Sequence, residues 1–159
     1  MPDVFALLSA DHRTVEGLFQ QFAASQDPAV AQEICDELTI HSVLEEELVY
    51  PLLATKVATP LAVEAREEHA EAKQLISQIE EALGGGGDVA PIVKELEKAV
   101  SHHVEEEESE VFPAMRDKLP TLTAEMGDDV VQRKAELTAQ MDEVRREGQS
   151  SAVVGDKLL

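Results

Sequence analysis

The sequence predicts an all-α protein, an up-down-up-down four-helix bundle followed by an additional C-terminal helix. No stretch alternates between apolar and polar residues over the length of a strand, and residues that favour helices dominate the composition. Four segments carry apolar residues at steps of three and four, which is the spacing of one helix face. Because the connections between these segments are short, neighbouring helices are expected to be antiparallel.

The first two predicted helices have apolar faces that run from Phe5 to Phe22 and from Ile34 to Leu52. Asp27 and Pro28 separate them. Since Asp favours the N-cap and Pro the first turn, the second helix is predicted to begin at this pair.

The third and fourth predicted helices have apolar faces from Ala65 to Leu83 and from Ile92 to Ala114. Thr59 and Pro60 predict the start of the third helix in the same way as Asp27 and Pro28 predict the second. The glycines from Gly84 to Gly87 are expected to end the third helix and to form a flexible link.

The C-terminal part is predicted to add one weaker amphipathic helix to the bundle. Pro120 follows the fourth helix, and the segment from Leu122 to about Arg146 carries apolar residues on one side. The expected organisation is a bundle over 1–118, a helical appendage over 119–147 and a flexible tail over 148–159.

The charge balance argues against two classes of partner. Thirteen basic and 33 acidic residues give a net charge of −20, which repels phosphate backbones and anionic lipids. Aromatic residues make up only 3% of the chain, too few for a base-stacking surface. The longest apolar run, Leu48 to Ala54, is far too short to span a bilayer. We therefore expect no nucleic-acid partner and no membrane association.

Cys35 is the single cysteine of the sequence, so an internal disulfide is impossible. The first residues lack the pattern of a signal peptide. The expected location is the cytoplasm.

The chain contains an internal repeat that carries its most informative residues. Residues 41–51 read HSVLEEELVYP and residues 103–113 read HVEEEESEVFP. Both stretches place a Glu four residues after a His, at positions that project together from a helix. The preceding helices also match, because Asp11-His12 corresponds to Glu68-His69.

These positions predict a buried metal centre. Each helix offers one His to the interior of the bundle, and two helices add a Glu; the six candidates are His12, His41, Glu45, His69, His103 and Glu107. An unpaired buried carboxylate costs several kcal/mol, so two of them need positive charge nearby. A pair of metal ions would supply that charge, with imidazoles as ligands and carboxylates as bridges. A single His on an apolar face is usually a packed core residue, but four matched ones are harder to explain by packing.

This order of residues resembles the hemerythrin-like (HHE cation-binding) domains over residues 3 to 118. The resemblance implies a non-haem di-iron centre in which two iron ions are joined by an oxo or hydroxo bridge. It also implies that the four histidines are terminal ligands and that Glu45 and Glu107 bridge the irons. Ferritin-like sites use Glu-x-x-His instead. The residues three before each His here are Ser9, Leu38, Arg66, Ala99 and Val100, so that class is disfavoured.

The sequence departs from oxygen-carrying hemerythrins at two positions. Those proteins have His-x-x-x-His on the third helix, whereas this chain has Lys at position 73. They also have an Asp five residues after the His of the fourth helix, whereas this chain has Glu107 four residues after His103. The predicted centre is therefore nearly two-fold symmetric and open, which argues against simple reversible oxygen carriage.

Five neighbouring positions leave alternatives. His102 with Glu106 could replace His103 with Glu107, although the repeat favours the latter pair. Glu16 and Lys73 are expected to pair with each other near the site, and Glu16 is also a candidate ligand. Tyr50 is expected to pack in the core, with a phenolate ligand as the alternative.

The expected function is binding of, and reaction with, a small oxidant such as O2, H2O2 or NO, in peroxide decomposition or in redox or oxygen sensing. Any enzymatic activity would be weak and catalase-like. One alternative is a non-catalytic iron-binding or iron-responsive module, and another is a metal-free acidic adaptor. Manganese and zinc also accept His and carboxylate ligands, so iron is implied by the resemblance alone.

Overall fold

The computed structural model describes residues 3–155, and every regular element in that range is helical. The helices are α1 (Val4–Ser25), α2 (Pro28–Leu44), α3 (Tyr50–Leu52), α4 (Thr59–Gly85), α5 (Ala90–Glu106), α6 (Phe112–Lys118) and α7 (Pro120–Glu147). The described part of the chain contains no strand. The predicted fold class, an all-α bundle with an additional C-terminal helix, is confirmed.

Widened π-helical turns connect some of these helices. Glu45–Val49 joins α2 to α3, Leu53–Val57 follows α3, and Glu107–Val111 joins α5 to α6. The chain is therefore helical throughout 28–57 and 90–118. These two rods, together with α1 and α4, form the four-helix bundle.

The two π turns of the repeat begin at its glutamates and end just before its prolines. The N–H of Tyr50 bonds to the carbonyl of Glu45, and the N–H of Phe112 bonds to that of Glu107, five residues back in each case. A proline lacks an N–H and clashes with the carbonyl four residues before it, so a helix is usually disturbed at that point. The sequence analysis did not predict these turns, which occur often at functional sites.

The helix ends follow the predicted signals with one exception. Asp27 accepts a hydrogen bond from the N–H of Ala29 and caps α2, as predicted. Gly86 ends α4 in the left-handed conformation at φ 71°, which glycine adopts without strain. Thr59, however, does not cap α4, because its hydroxyl donates to the carbonyl of Ala54.

The apolar core is divided into two clusters. One contains Phe5, Leu8, Leu44, Tyr50, Phe112, Met115 and the buried side of α7. The other contains Val15, Phe19, Ile34, Leu38, Ile76, Ile79 and Leu96. The buried polar side chains of the bundle helices lie between the two apolar clusters. They form a polar layer that contains His12, His41, Glu45, His69, His103 and Glu107.

The C-terminal helix α7 packs along α1 and α2. The segment after it, 148–159, was expected to be a flexible tail, and its described part contacts the bundle. Ser151 and Val154 are buried, and the N–H and hydroxyl of Ser151 donate to Glu80 at 3.1 and 2.8 Å. Residues 156–159 of the expected tail lie outside the described residues.

Candidate metal centre

Each of the four long bundle segments contributes one histidine to the polar layer. His12 lies on α1, His41 on α2, His69 on α4 and His103 on α5, and all four are buried. Their Nε2 atoms meet in pairs: 3.1 Å separates those of His12 and His41, and 3.1 Å separates those of His69 and His103.

Glu45 and Glu107 lie between the two histidine pairs. Oε1 of Glu45 is 3.1 Å from Nε2 of both His41 and His69. Oε1 of Glu107 is 3.2 Å from Nε2 of His12, and its Oε2 is 3.4 Å from that of His103. Each carboxylate therefore contacts one histidine from each helix pair.

The six side chains form two overlapping groups that could hold metal ions. One group is His12, His41, Glu45 and Glu107; the other is Glu45, His69, His103 and Glu107. Within each group the ligand atoms lie within 4.8 Å of one another. Imidazole nitrogens and carboxylate oxygens together suit iron, manganese and zinc.

A carboxylate outside the layer faces the Nδ1 atom of every one of these histidines. The Nδ1-to-oxygen distances are 3.4 Å for His12 to Glu108, 3.3 Å for His41 to Asp11, 3.2 Å for His69 to Glu46 and 2.8 Å for His103 to Glu68. Because an ionised carboxylate can only accept a hydrogen bond, Nδ1 donates and Nε2 is directed at the centre. This arrangement is typical of histidines that bind metals.

These outer carboxylates repeat with the two halves of the bundle. Asp11 and Glu68 precede a layer histidine in sequence and face the other histidine of their own helix pair. Glu46 and Glu108 follow the layer glutamates and face a histidine of the opposite pair. This role of Glu46 and Glu108 was not predicted from the sequence.

A basic side chain or a further imidazole holds each outer carboxylate in turn. Arg13 contacts Glu108 at 2.8 Å, Lys73 contacts Glu46 at 2.8 Å, Lys134 contacts Asp11, and His102 lies 3.4 Å from Glu68. The orientation of all four imidazoles is therefore fixed through two successive contacts.

The charges of the layer shift the pKa values of His41, His103 and Glu45 strongly. Burial alone would lower the pKa of His41, but Glu45 and Asp11 raise it to about 10. Burial likewise opposes protonation of His103, yet Glu107 and Glu45 raise its pKa to about 12. Burial would raise the pKa of Glu45, whereas His41 holds it well below its usual range. Metal ions would replace the imidazole protons as the positive charge beside the carboxylates.

The protein's own side chains do not satisfy every carboxylate oxygen of the layer. Oε2 of Glu45 is buried and has no hydrogen-bond partner among the described residues. Burying a carboxylate oxygen without a partner costs free energy of folding, and a cation would remove that cost. The donor set and this oxygen fit a bound metal.

Tyr50 is fully buried, and its hydroxyl lies inside the layer rather than only in the apolar core. The hydroxyl donates to Oε2 of Glu107 at 2.8 Å and lies 3.2 Å from Oε1 of Glu45. It is also 2.9 and 3.2 Å from Nε2 of His69 and His103. Burial and the two glutamates raise the pKa of Tyr50 well above its usual value. Both the packing expectation and the ligand alternative are compatible with this position.

The structure does not bring the other sequence candidates into the layer. Glu16 pairs with Arg13 at 3.3 Å, and Lys73 pairs with Glu46, so the expected contact between Glu16 and Lys73 is not formed. His102 is exposed and lies with Glu106 outside the layer.

A cavity of about 30 Å³ adjoins all four histidines. Its remaining lining is mainly apolar, from Val15, Leu38, Ala72, Ala99, Val100 and Val104, and also includes Asp11, Ser42 and Glu68. A cavity needs about 10 to 15 Å³ of such volume to hold one water molecule, so the space suits a ligand of two or three atoms.

The comparisons with known proteins agree with this geometry. The family model of the hemerythrin HHE cation binding domain matches residues 3–115. The chain belongs to this family. It is therefore a cation-binding HHE domain whose His and Glu clusters could hold metal.

Two curated relatives resemble this HHE domain. A DNA nickase of Nostoc sp. (strain PCC 7120) is 32% identical over 117 residues, which are 71% of this chain and 33% of that protein. An uncharacterized hemerythrin-like protein of Schizosaccharomyces pombe is 26% identical over 116 residues, 69% of this chain and 57% of that protein. The matched region thus spans between a third and three fifths of these relatives. No solved structure matches the chain significantly.

Proposed function

We propose that this HHE domain holds two iron ions in its polar layer. His12 and His41 would bind one ion, His69 and His103 the other, and Glu45 and Glu107 would bridge them. Three features support this assignment: two ligand groups that share both carboxylates, the unpartnered oxygen of Glu45, and the outer carboxylates that direct every Nε2 inward.

We propose further that the centre reacts with a small oxidant such as hydrogen peroxide, dioxygen or nitric oxide. The observation that carries this proposal is the cavity of about 30 Å³ against the four histidines. Two adjacent redox metals can supply two electrons to such a molecule. The apolar side chains of the cavity limit the water that competes for the same space.

The residues around the centre favour peroxide decomposition or redox or oxygen sensing over oxygen carriage. Lys73 is paired with Glu46 and 54% exposed, so α4 offers the layer the single imidazole of His69. Each half therefore has two imidazoles. The hydroxyl of Tyr50 lies next to both carboxylates, where it can hold or donate a proton.

Partners and location belong to the same proposal. One relative is named a DNA nickase, and the match covers only a third of that protein. With a net charge of −20, this chain is expected to act on a small molecule and not on nucleic acid. Among the described helices, none has the length and apolarity needed to cross a membrane. A cytoplasmic location stays a prediction.

The test is peroxide loss by the iron-loaded chain, compared with two matched variants. Ala99→Leu fills the cavity, whereas Ala82→Leu makes the same change at a half-buried position that does not line it. We expect catalytic loss of peroxide by the wild type and Ala82→Leu, and about tenfold slower loss by Ala99→Leu at equal iron content. If the iron-loaded wild type leaves peroxide unchanged, the non-catalytic iron-binding function replaces this proposal.

A further inference from the structure

A second group of metal-binding side chains lies outside the polar layer, where α4 packs against α5. Nε2 of His102 is 3.0 Å from Oε1 of Glu106 and 3.4 Å from Oε2 of Glu68. One ligand atom from each of these three residues falls within 4.8 Å of the others. The side chain of His102 is 65% exposed, so solvent reaches this outer group.

Glu68 connects the outer group to the polar layer. Its Oε1 accepts the 2.8 Å hydrogen bond from Nδ1 of His103, while its Oε2 faces His102. The two histidines are adjacent in sequence, and one is exposed while the other is buried. A single carboxylate therefore contacts a surface imidazole and an imidazole of the buried centre.

A narrow cleft of about 10 Å³ is lined by residues of both sites. Its charged or polar lining consists of Glu64, Glu68, His103, Glu106, Glu107 and Glu110. Glu107 is only 1% exposed; the basic atom beside its Oε1 is Nε2 of His12 at 3.2 Å, and this contact does not have hydrogen-bond geometry. No described lysine or arginine lines the cleft, so His103 is the one basic side chain beside its five carboxylates.

This lining favours a cation over any other small solute. Carboxylates of one sign around a narrow space raise the local concentration of the opposite charge. One imidazole nitrogen and two carboxylate oxygens form a set that divalent first-row transition metals accept. Because only three protein ligands are available at an exposed position, such an ion would keep water ligands and could leave again.

We propose that Glu68, His102 and Glu106 form an outer site that captures a divalent transition-metal ion and passes it between α4 and α5 to the buried centre. The proposal rests on the proposed function, since an entry site requires a centre that holds metal. His103 and Glu107 both line the cleft and belong to the inner ligand groups, so they are the inner ligands nearest to the outer site.

The experiment measures how fast the metal-free chain takes up Co2+, followed by the visible absorption of the bound ion in a stopped-flow instrument. The variants are His102→Ala and Glu106→Gln. Glu105→Gln is the matched control, because it removes the same charge as Glu106→Gln at an exposed neighbouring position. We expect uptake to be about tenfold slower in both variants and within about twofold of the wild type in the control. The final Co2+ content should equal that of the wild type in every case.

The outcomes separate this inference from the proposed function. Equal uptake rates in all four proteins, with metal bound at the end, would overturn the entry site and leave the buried centre in place. A wild type that binds no Co2+ or Fe2+ would overturn both. A lower final content in His102→Ala would make His102 a ligand of the centre and would also contradict the entry site.

Discussion

The hydroxyl of Tyr50 donates a hydrogen bond of 2.8 Å to Oε2 of Glu107, across the interface between the two halves of the bundle. The matching residue of the repeat, Phe112, has no hydroxyl; its ring stacks on Phe5 and on His12, with ring centroids 4.5 and 6.0 Å apart. The polar layer is therefore less symmetric than the repeat predicts. The half with His69 and His103 has an additional oxygen.

The first prediction concerns that oxygen. The Tyr50 hydroxyl has one proton but lies near two carboxylate oxygens and two imidazole nitrogens, including Nε2 of His69 at 2.9 Å. A metal ion held by those groups would lie within reach of the phenolic oxygen. We expect the ferric protein to show a visible phenolate-to-iron absorption band that Tyr50→Phe lacks. Both proteins should contain equal iron. Identical visible spectra would restrict Tyr50 to packing and hydrogen bonding.

The second prediction tests which residues of the fourth bundle helix bind metal. His103 and Glu107 are buried in the layer, whereas His102 and Glu106 lie outside it. Replacing His103 or Glu107 by Ala should reduce the equilibrium metal content by about half or more, because each belongs to a buried ligand group. The same replacement at His102 or Glu106 should leave that content unchanged. Metal analysis after dialysis would show the reverse pattern if the outer pair were the ligands.

The third prediction concerns the outer carboxylates. Glu46 and Glu108 orient His69 and His12 through Nδ1. Neutral glutamine in place of either carboxylate should weaken metal binding about 10- to 100-fold, the usual effect of losing such a partner. Glu105→Gln, which changes an exposed carboxylate of the same acidic run, is the control. Competition with a chelator of known affinity measures the effect. Equal metal affinities in all three variants would mean that the outer carboxylates do not contribute to metal binding.

The fourth prediction concerns Asp36, a carboxyl group on α2 outside the polar layer. Burial raises the pKa of Asp36 to about 6, although Gln32 and Arg145 contact it and oppose the shift. Because this folded-state pKa lies above the unfolded value, the contribution of Asp36 to stability is present near pH 4 and is lost as the pH rises through 6. Asp36→Asn should therefore stabilise the chain at pH 7.5, by up to about 2 kcal/mol.

Urea denaturation of the wild type and Asp36→Asn at pH 7.5 and at pH 5 measures this difference. The increase in the free energy of unfolding caused by Asp36→Asn should be smaller at pH 5, where more of the wild-type carboxyl group is protonated. The exposed Asp142→Asn variant should show no comparable gain at either pH. A gain for Asp36→Asn that does not depend on pH would mean that packing, and not ionisation, causes it.

Much of the fold follows from sequence periodicity. Apolar residues at helical spacing, Asp27-Pro28 and the glycines before Asp88 locate the helices because these signals act within one segment. The π turns at Glu45 and Glu107 do not follow from that periodicity, although the repeated Glu and Pro six residues apart are a signal for them. The packing of Ser151 against Glu80 depends on a contact between distant segments, which the small polar composition of the C-terminal stretch does not reveal.

In the candidate site, too, contacts between different helices could not be predicted from the sequence. The four-residue spacing of His41 and Glu45 predicts that both project from one helix face, and the structure brings the six candidates together. Which acidic residue faces each Nδ1 depends on how neighbouring helices are rotated, so the contact between His69 and Glu46 was not predicted. Asp11 and Glu68, each directly before a histidine of the repeat, were the available signal for two of these partners.

The most direct test of the metal centre is the metal content of the purified chain together with its thermal unfolding before and after chelation. We expect two iron ions per chain. We also expect a clearly lower melting temperature for the stripped protein, because Glu45 and Glu107 then lose their cations in a buried layer. A chain that contains no transition metal, and that melts at the same temperature with and without a chelator, would contradict the account.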